Sequence, residues 1–178
     1  MTRLRSCCRP SRPAAKPRWR APIWPSTSSA ASQRLYSEPL VNIPGGYATY
    51  TPPNYLPDAP VHKRATPVIF FNPAKLSRGF LAWLAKLPGP QLFVHRQFRF
   101  ERTRDKVMQA VGATNAEFVC PTIHREALEL LGRHKWLIDT FPCSGGLTAR
   151  EPLAMGMKVK TFTGELFFER HSLHLKAT

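Results

Sequence analysis

The residues best equipped for chemistry lie together at positions 139–156, DTFPCSGGLTAREPLAMG. Asp139 closes an apolar run, Gly145 and Gly146 let backbone approach a bulky group, and Thr148 opens a helical pattern with Glu151 three residues on. Glycines ahead of a helix start leave N–H groups unpaired at the positive end of the helix dipole, as a phosphate site requires. The same letters also suit a tight strand-to-helix connection, with T-x-x-E as an ordinary capping box and Pro152 tolerated in the first turn. Glu151 accordingly has two readings: partner of the Thr148 N–H, or acceptor for ribose hydroxyls. Lys75, in FFNPAKLSRG, follows an earlier apolar run. It reads either as a compact positive charge for a diphosphate or as a solvated loop lysine. His124 starts a helix near the same rim, while His171 and His174 fall near the end of the chain. G-x-S-x-G, Walker A and G-x-G-x-x-G are absent, against hydrolase, P-loop and dinucleotide enzymes. No Asp-x-Asp pair implies a metal.

These residues need a frame. Short apolar runs PVIFF (67–71), QLFVH (91–95), EFVC (117–120), WLID (136–139) and KVKTF (158–162) read as strands. Between them SRGFLAWLAKL, ERTRDKVMQAVG, HREALELLGRH and AREPLAMG carry helical spacing, two of them closed by glycine caps at Gly112 and Gly156. ELFFERHSLHL (165–175) reads as a last helix. Strands of four to six residues alternating with helices of about ten imply an α/β fold, a parallel sheet with helices on both faces. In such a sheet ligands sit outside the carboxyl ends of the strands, where the 139–156 stretch begins.

The formal charge of +15 invites a nucleic-acid partner until its distribution is read. Residues 1–34 hold eight Lys/Arg and no acid, so over half of the excess sits on an Arg-, Ser- and Pro-rich tail. Without an apolar stretch it is no secretory signal, and its prolines break the amphipathic helix of a transit peptide, so disorder is expected. Elsewhere no basic run alternates with aromatics, and nucleic acid is not the expected partner. Residues 35–66 form a proline-rich lead-in that forbids long helices, and residues 67–178 the folded lobe. Cys7, Cys8, Cys120 and Cys143 have neither zinc-ribbon nor disulfide-framework spacing and fit reduced thiols in the cytoplasm. No apolar stretch reaches the roughly 20 residues that span a bilayer.

The segment LIDTFPCSGGLTAREPLAMGMKVKTFTGELFFERHSLHL resembles the C-terminal signature of the O-linked N-acetylglucosamine transferase (SPINDLY-like) glycosyltransferase family. The matching positions are Leu137, Asp139, Pro142, Gly145, Thr148, Glu151, Leu153, Gly156, Val159, Thr161, Gly164, Glu165 and Arg170. Upstream, YSEPLVNIPGGYATYTPP and FFNPAKLSRGFLAWLAKLPGPQLFVHR are similar to family segments in the same order, so the resemblance covers about residues 35–175. It implies the Rossmann-like C-terminal lobe of a GT-B fold, with a UDP-sugar as donor and an acceptor protein glycosylated on Ser/Thr with N-acetylglucosamine or a related hexose. Lys75 would stabilise the leaving diphosphate, Gly145, Gly146, Leu147 and Thr148 would form the phosphate loop, Glu151 would hold the ribose, and His124 would lie near the uracil. No cofactor beyond the donor and no membrane is implied.

Against the family pattern, Leu147 replaces a threonine, Ser144 an asparagine, Cys143 a tyrosine, and Ala127 a histidine. The match leaves no residues for the N-terminal catalytic lobe or the TPR helices, so the expectation is a lobe truncated at its C-terminus and incomplete alone as a transferase. A separate chain would then supply the missing lobe. The alternative is a non-catalytic nucleotide-binding fragment or remnant of a split gene.

Overall fold

The computed structural model describes residues 23–25, 33–43, 50–58, 64–169 and 171–172. Two short strands, β1 (Ile23–Pro25) and β2 (Val41–Ile43), pair in parallel, so three residues of the segment expected to lack structure sit in a strand. Most of residues 1–32 lie outside the described ones.

The lobe itself is a five-stranded sheet of β3 (Val68–Ile69), β4 (Gln91–Val94), β5 (Ala116–Val119), β6 (Trp136–Ile138) and β7 (Lys158–Lys160). All neighbours are parallel and the order is β5-β4-β3-β6-β7. Every residue of central β3 and β4 is buried, whereas edge strands β5 and β7 alternate between more and less exposed positions. That contrast is why the central runs read as continuously apolar and the edge ones as mixed.

Four helices fill the connections: α1 (Arg78–Leu84), α2 (Glu101–Val111), α3 (His124–Gly132) and α4 (Leu147–Ala154). Ser77 caps α1 by accepting the Phe80 N–H at 3.1 Å. Glycines at positive φ stop α2 (Gly112, 92°) and follow α4 (Gly156, 69°), a conformation costly for any residue with a Cβ. The right-handed rule for parallel crossovers places the helices leaving β3 and β4 on one face and those returning through β6 to β7 on the other. The packing agrees, pairing α1 with α2 and α3 with α4. Phe71, Phe93, Phe98, Leu84, Leu128, Leu131 and Leu137 fill the core between them. Buried Gln91 is accommodated by donating to the Leu84 carbonyl at 2.9 Å.

The last segment departs from expectation. Among the described residues of 165–175 there is only a 3-10 turn at Phe167–Glu169, followed by a turn at 171–172; Arg170 and residues 173–178 lie outside. Competing bonds explain it. Glu169 folds back to accept the Leu166 N–H at 2.9 Å, and the Phe168 carbonyl is taken by both the N–H and the hydroxyl of Ser144, at 2.8 and 3.0 Å. The Glu169 side chain lies so close to Gly164 that a Cβ there would come within 2.2 Å of it.

Candidate functional site

The strand order reverses between β3 and β6, and the chain leaving each of these strands meets the other at their carboxyl ends. After β3, a 3-10 turn at Pro73–Lys75, capped by the Asn72 side chain on the Ala74 N–H, presents Lys75. Its ammonium donates to the Ser144 carbonyl at 3.2 Å and stands 5.8 Å from the Phe71 ring centroid. The Ser77 hydroxyl ties the same two segments by donating to the Phe141 carbonyl at 2.9 Å.

The loop after β6 is organised by Asp139, which has no solvent exposure. Its Oδ1 accepts the Thr140 N–H at 2.8 Å and the Gly145 N–H at 2.7 Å, curling six residues around one carboxylate oxygen. Thr140 Oγ1 donates to the Cys143 carbonyl at 2.7 Å, and the Phe141–Pro142 peptide is cis. Asp139 Oδ2 has no hydrogen-bond partner among the described residues. Burial pushes this carboxyl up to about 6, against the pull of the Ser172 hydroxyl, the two backbone N–H groups and Lys75. The Ser172 hydroxyl donates to the Gly145 carbonyl. A Cβ at Gly145 would lie 2.4 Å from the Phe71 ring and 2.7 Å from Thr148 Oγ1. Only glycine fits there.

The loop ends at α4, where the structure corrects the capping box. Gly146, not Thr148, is the N-cap, with φ −102° and ψ −92°, and no side chain caps the helix. Helix bonding starts with the N–H groups of Ala149 and Arg150 on the Gly146 carbonyl. The N–H groups of Gly146, Leu147 and Thr148 find no acceptor among the described residues. Starting the helix at Leu147 also moves Pro152 into the second turn. It puts Glu151 one full turn in, too far along to bond back to the helix start.

Glu151 instead meets His124. Its buried carboxylate lies 3.0 Å from His124 Nε2, at the first residue of α3. Burial raises Glu151, and His124 draws it back. The other ring nitrogen, Nδ1, lies 3.0 Å from the Tyr55 hydroxyl, and the Arg125 guanidinium stands 5.1 Å from the Tyr55 ring centroid. Around this chain of contacts is a cleft of about 390 Å³, walled by His124, Leu147 and Glu151 on one side and by Tyr50, Pro53 and Tyr55 of the lead-in on the other. Burial raises the Tyr50 phenol, and the Glu151 charge adds to it.

The expected site residues thus fall into two adjoining groups. Lys75, Gly145 and Thr148 gather at the glycine loop, His124, Leu147 and Glu151 at the cleft, and Gly146 joins them through the first turn of α4. His171 stands near Lys75, lowered by burial and by that charge, with its ring 4.1 Å from Phe167; His174 lies outside the described residues. Tyr50 and Tyr55 were not singled out from the sequence. A proline-rich segment has no periodicity to flag them, and their partners lie about 70 to 100 positions away. Among the described residues no group of three His, Cys, Asp or Glu is placed to hold a metal, and no helix is long and apolar enough to cross a membrane.

No family model matches the chain, and no curated protein does. Among solved structures, a mutant O-GlcNAc transferase of Thermobaculum terrenum superposes with a TM-score of 0.77 over 87% of this chain, at 23% sequence identity. The likeness is one of fold. It extends over the α/β sheet expected of a GT-B lobe, and the chain spans only 32% of that protein's length.

Proposed function

We propose that the chain is the nucleotide-sugar-binding lobe of a protein O-glycosyltransferase, taking N-acetylglucosamine or a related hexose from a UDP-sugar to a Ser/Thr hydroxyl of an acceptor protein. The observation that carries this reading is the pairing, across one loop at the strand-order reversal, of the Lys75 ammonium with three N–H groups at the start of α4 that find no acceptor among the described residues. Both are donors without acceptor capacity, fixed in place, and suited to the charge of a diphosphate.

In the transfer, the bond from the sugar's anomeric carbon to the diphosphate breaks and UDP departs with the electron pair. The acceptor hydroxyl oxygen bonds to that carbon and gives up its proton. Lys75 and the amides of Gly146, Leu147 and Thr148 stabilise the charge that grows on the diphosphate, which is worth most when the donors are already in place. Glu151 accepts from a ribose hydroxyl, and His124 holds Glu151 in orientation from beside the base. The acceptor groove and the proton acceptor belong to a second lobe, supplied by further sequence of the same polypeptide or by a separate chain.

A second reading keeps the binding and drops the transfer. It is favoured by Leu147, an apolar residue 56% exposed at the cleft where the family signature carries a hydroxyl. Calorimetric titration of UDP tests the part both readings share. Lys75→Ala is expected to weaken binding about tenfold, the loss of one charge-assisted contact. Glu151→Ala should weaken it too. Absence of heat for the unmutated chain at millimolar UDP would sink both readings. Sugar transfer by the chain together with a second lobe separates them.

A further inference from the structure

The Tyr50 hydroxyl is shielded from solvent and has no hydrogen-bond partner among the described residues. Buried hydroxyls are rarely left this way, and an orphan one lining a cleft points to a ligand atom. The group facing it narrows the choice. Glu151 lines the same cleft as Tyr50, its charge adds to the rise of the phenol, and the two are not bonded. Glu151 Oε1 is engaged by His124 at 3.0 Å. His124 is itself held through Nδ1 by Tyr55, so the carboxylate is oriented from behind.

A ligand group between these two must accept from a phenol and donate to a carboxylate. A carbonyl or phosphate oxygen would satisfy Tyr50 but face the carboxylate with a lone pair. An ammonium would satisfy Glu151 but has nothing to take the phenolic proton. A hydroxyl does both. We propose that Tyr50 and Glu151 together bind one ribose hydroxyl, so that the cleft selects ribonucleoside over deoxyribonucleoside diphosphates with Tyr50 as a specificity-determining residue. This rests on the reading of the cleft as a nucleoside-diphosphate site and adds to it a contact from the lead-in segment.

The test titrates UDP, 2′-deoxy-UDP and 3′-deoxy-UDP calorimetrically into the full chain, into Tyr50→Phe and into Lys75→Ala. The unmutated chain is expected to bind UDP about tenfold more tightly than one of the two deoxy analogues, the size of a lost hydrogen bond to a charged group. Tyr50→Phe should weaken UDP and leave that analogue unchanged, collapsing the ratio. Lys75→Ala should weaken all three ligands by one common factor and preserve it. Because Phe removes only an oxygen without a partner, the ligand-free melting temperature of Tyr50→Phe should be unchanged or raised.

Equal affinities of the unmutated chain for the three ligands would overturn the proposal while leaving the nucleotide site standing. So would a Tyr50→Phe that keeps the ratio. A Tyr50→Phe that melts lower or fails to fold shows that the hydroxyl is already engaged, which also overturns it. No heat with any ligand removes the nucleotide site and the proposal together.

Discussion

The glycine loop after β6 and the cleft beneath the lead-in lie on the same rim, each built around a buried carboxylate, and they are finished to different degrees. Asp139 spends one oxygen on two N–H groups of its own loop, and Ser144 and Ser172 stitch that loop to the last segment. Glu151 has His124 as its side-chain partner, itself 41% exposed, and on the same cleft stands a phenol with no partner among the described residues. A carboxylate that closes a loop serves the fold. One that shares a cleft with an orphan donor is ready for a ligand. If that contrast holds, perturbing the loop should be read out in stability, and perturbing the cleft mostly in binding.

The largest effect is expected from Gly145→Ala. The new methyl would meet the Phe71 ring at 2.4 Å and Thr148 Oγ1 at 2.7 Å, and Phe71 is packed in the core. Relief by moving the loop would draw the Gly145 N–H away from Asp139, leaving a buried carboxylate underpaired. Overpacking together with that lost bond should cost about 4 kcal/mol in urea unfolding. A loss below about 1 kcal/mol would mean that the loop is not the rigid member of the pair.

Next in size is Asp139→Asn. Asp139 is raised from 3.8 to about 6 in the folded chain, so the fold favours its protonated form. Its contribution to stability is therefore complete below the unfolded value and lost as pH rises through about 6. Asn keeps the oxygen that accepts from Thr140 and Gly145 but does not titrate. The stability of the unmutated chain relative to the variant should fall by up to about 3 kcal/mol between pH 4 and pH 7.5, measured by urea unfolding across that range. A pH-independent difference would show that the carboxyl is not ionising under burial.

His124→Ala carries the comparison to the cleft. It strands the Glu151 carboxylate, which is buried and already raised, but half of the lost contact lies at the surface where water screens it. A cost of about 1 kcal/mol at pH 7.5 is expected, shrinking toward zero in a Glu151→Gln background, where no charge is stranded.

What the sequence made legible follows from how local each cause is. Runs such as QLFV betray buried strands because burial acts on each residue separately, and the glycines closing α2 and following α4 mark backbone that only glycine adopts cheaply. The T-x-x-E pattern misled because Gly146 caps the helix two residues earlier than a Thr148 cap would, a choice enforced by the loop that Asp139 and Phe71 shape. The terminal helix failed for a related reason: Ser144 and Ser172 bind the last segment across the loop, and nothing within 165–175 records those partners. Lys75 and Glu151 stood out by type and spacing, whereas Tyr50 and Tyr55 acquire meaning only from contacts spanning about 70 positions or more.

Tyr55→Phe should have the smallest effect and gives the sharpest test of the contrast. Its hydroxyl meets His124 Nδ1 at an exposed position, so water can replace it, and unfolding stability should change by less than about 0.5 kcal/mol. The Phe ring still offers a face to Arg125, which preserves the wall of the cleft. What is lost is the bond that fixes the ring orientation of His124, and through it the aim of Glu151. UDP affinity should therefore drop about two- to threefold with no matching loss of stability, since a positioning contact acts on binding through the geometry of another group. Equal and opposite behaviour, a destabilised chain with unchanged UDP affinity, would place Tyr55 with the glycine loop as part of the scaffold and dissolve the distinction between the two regions.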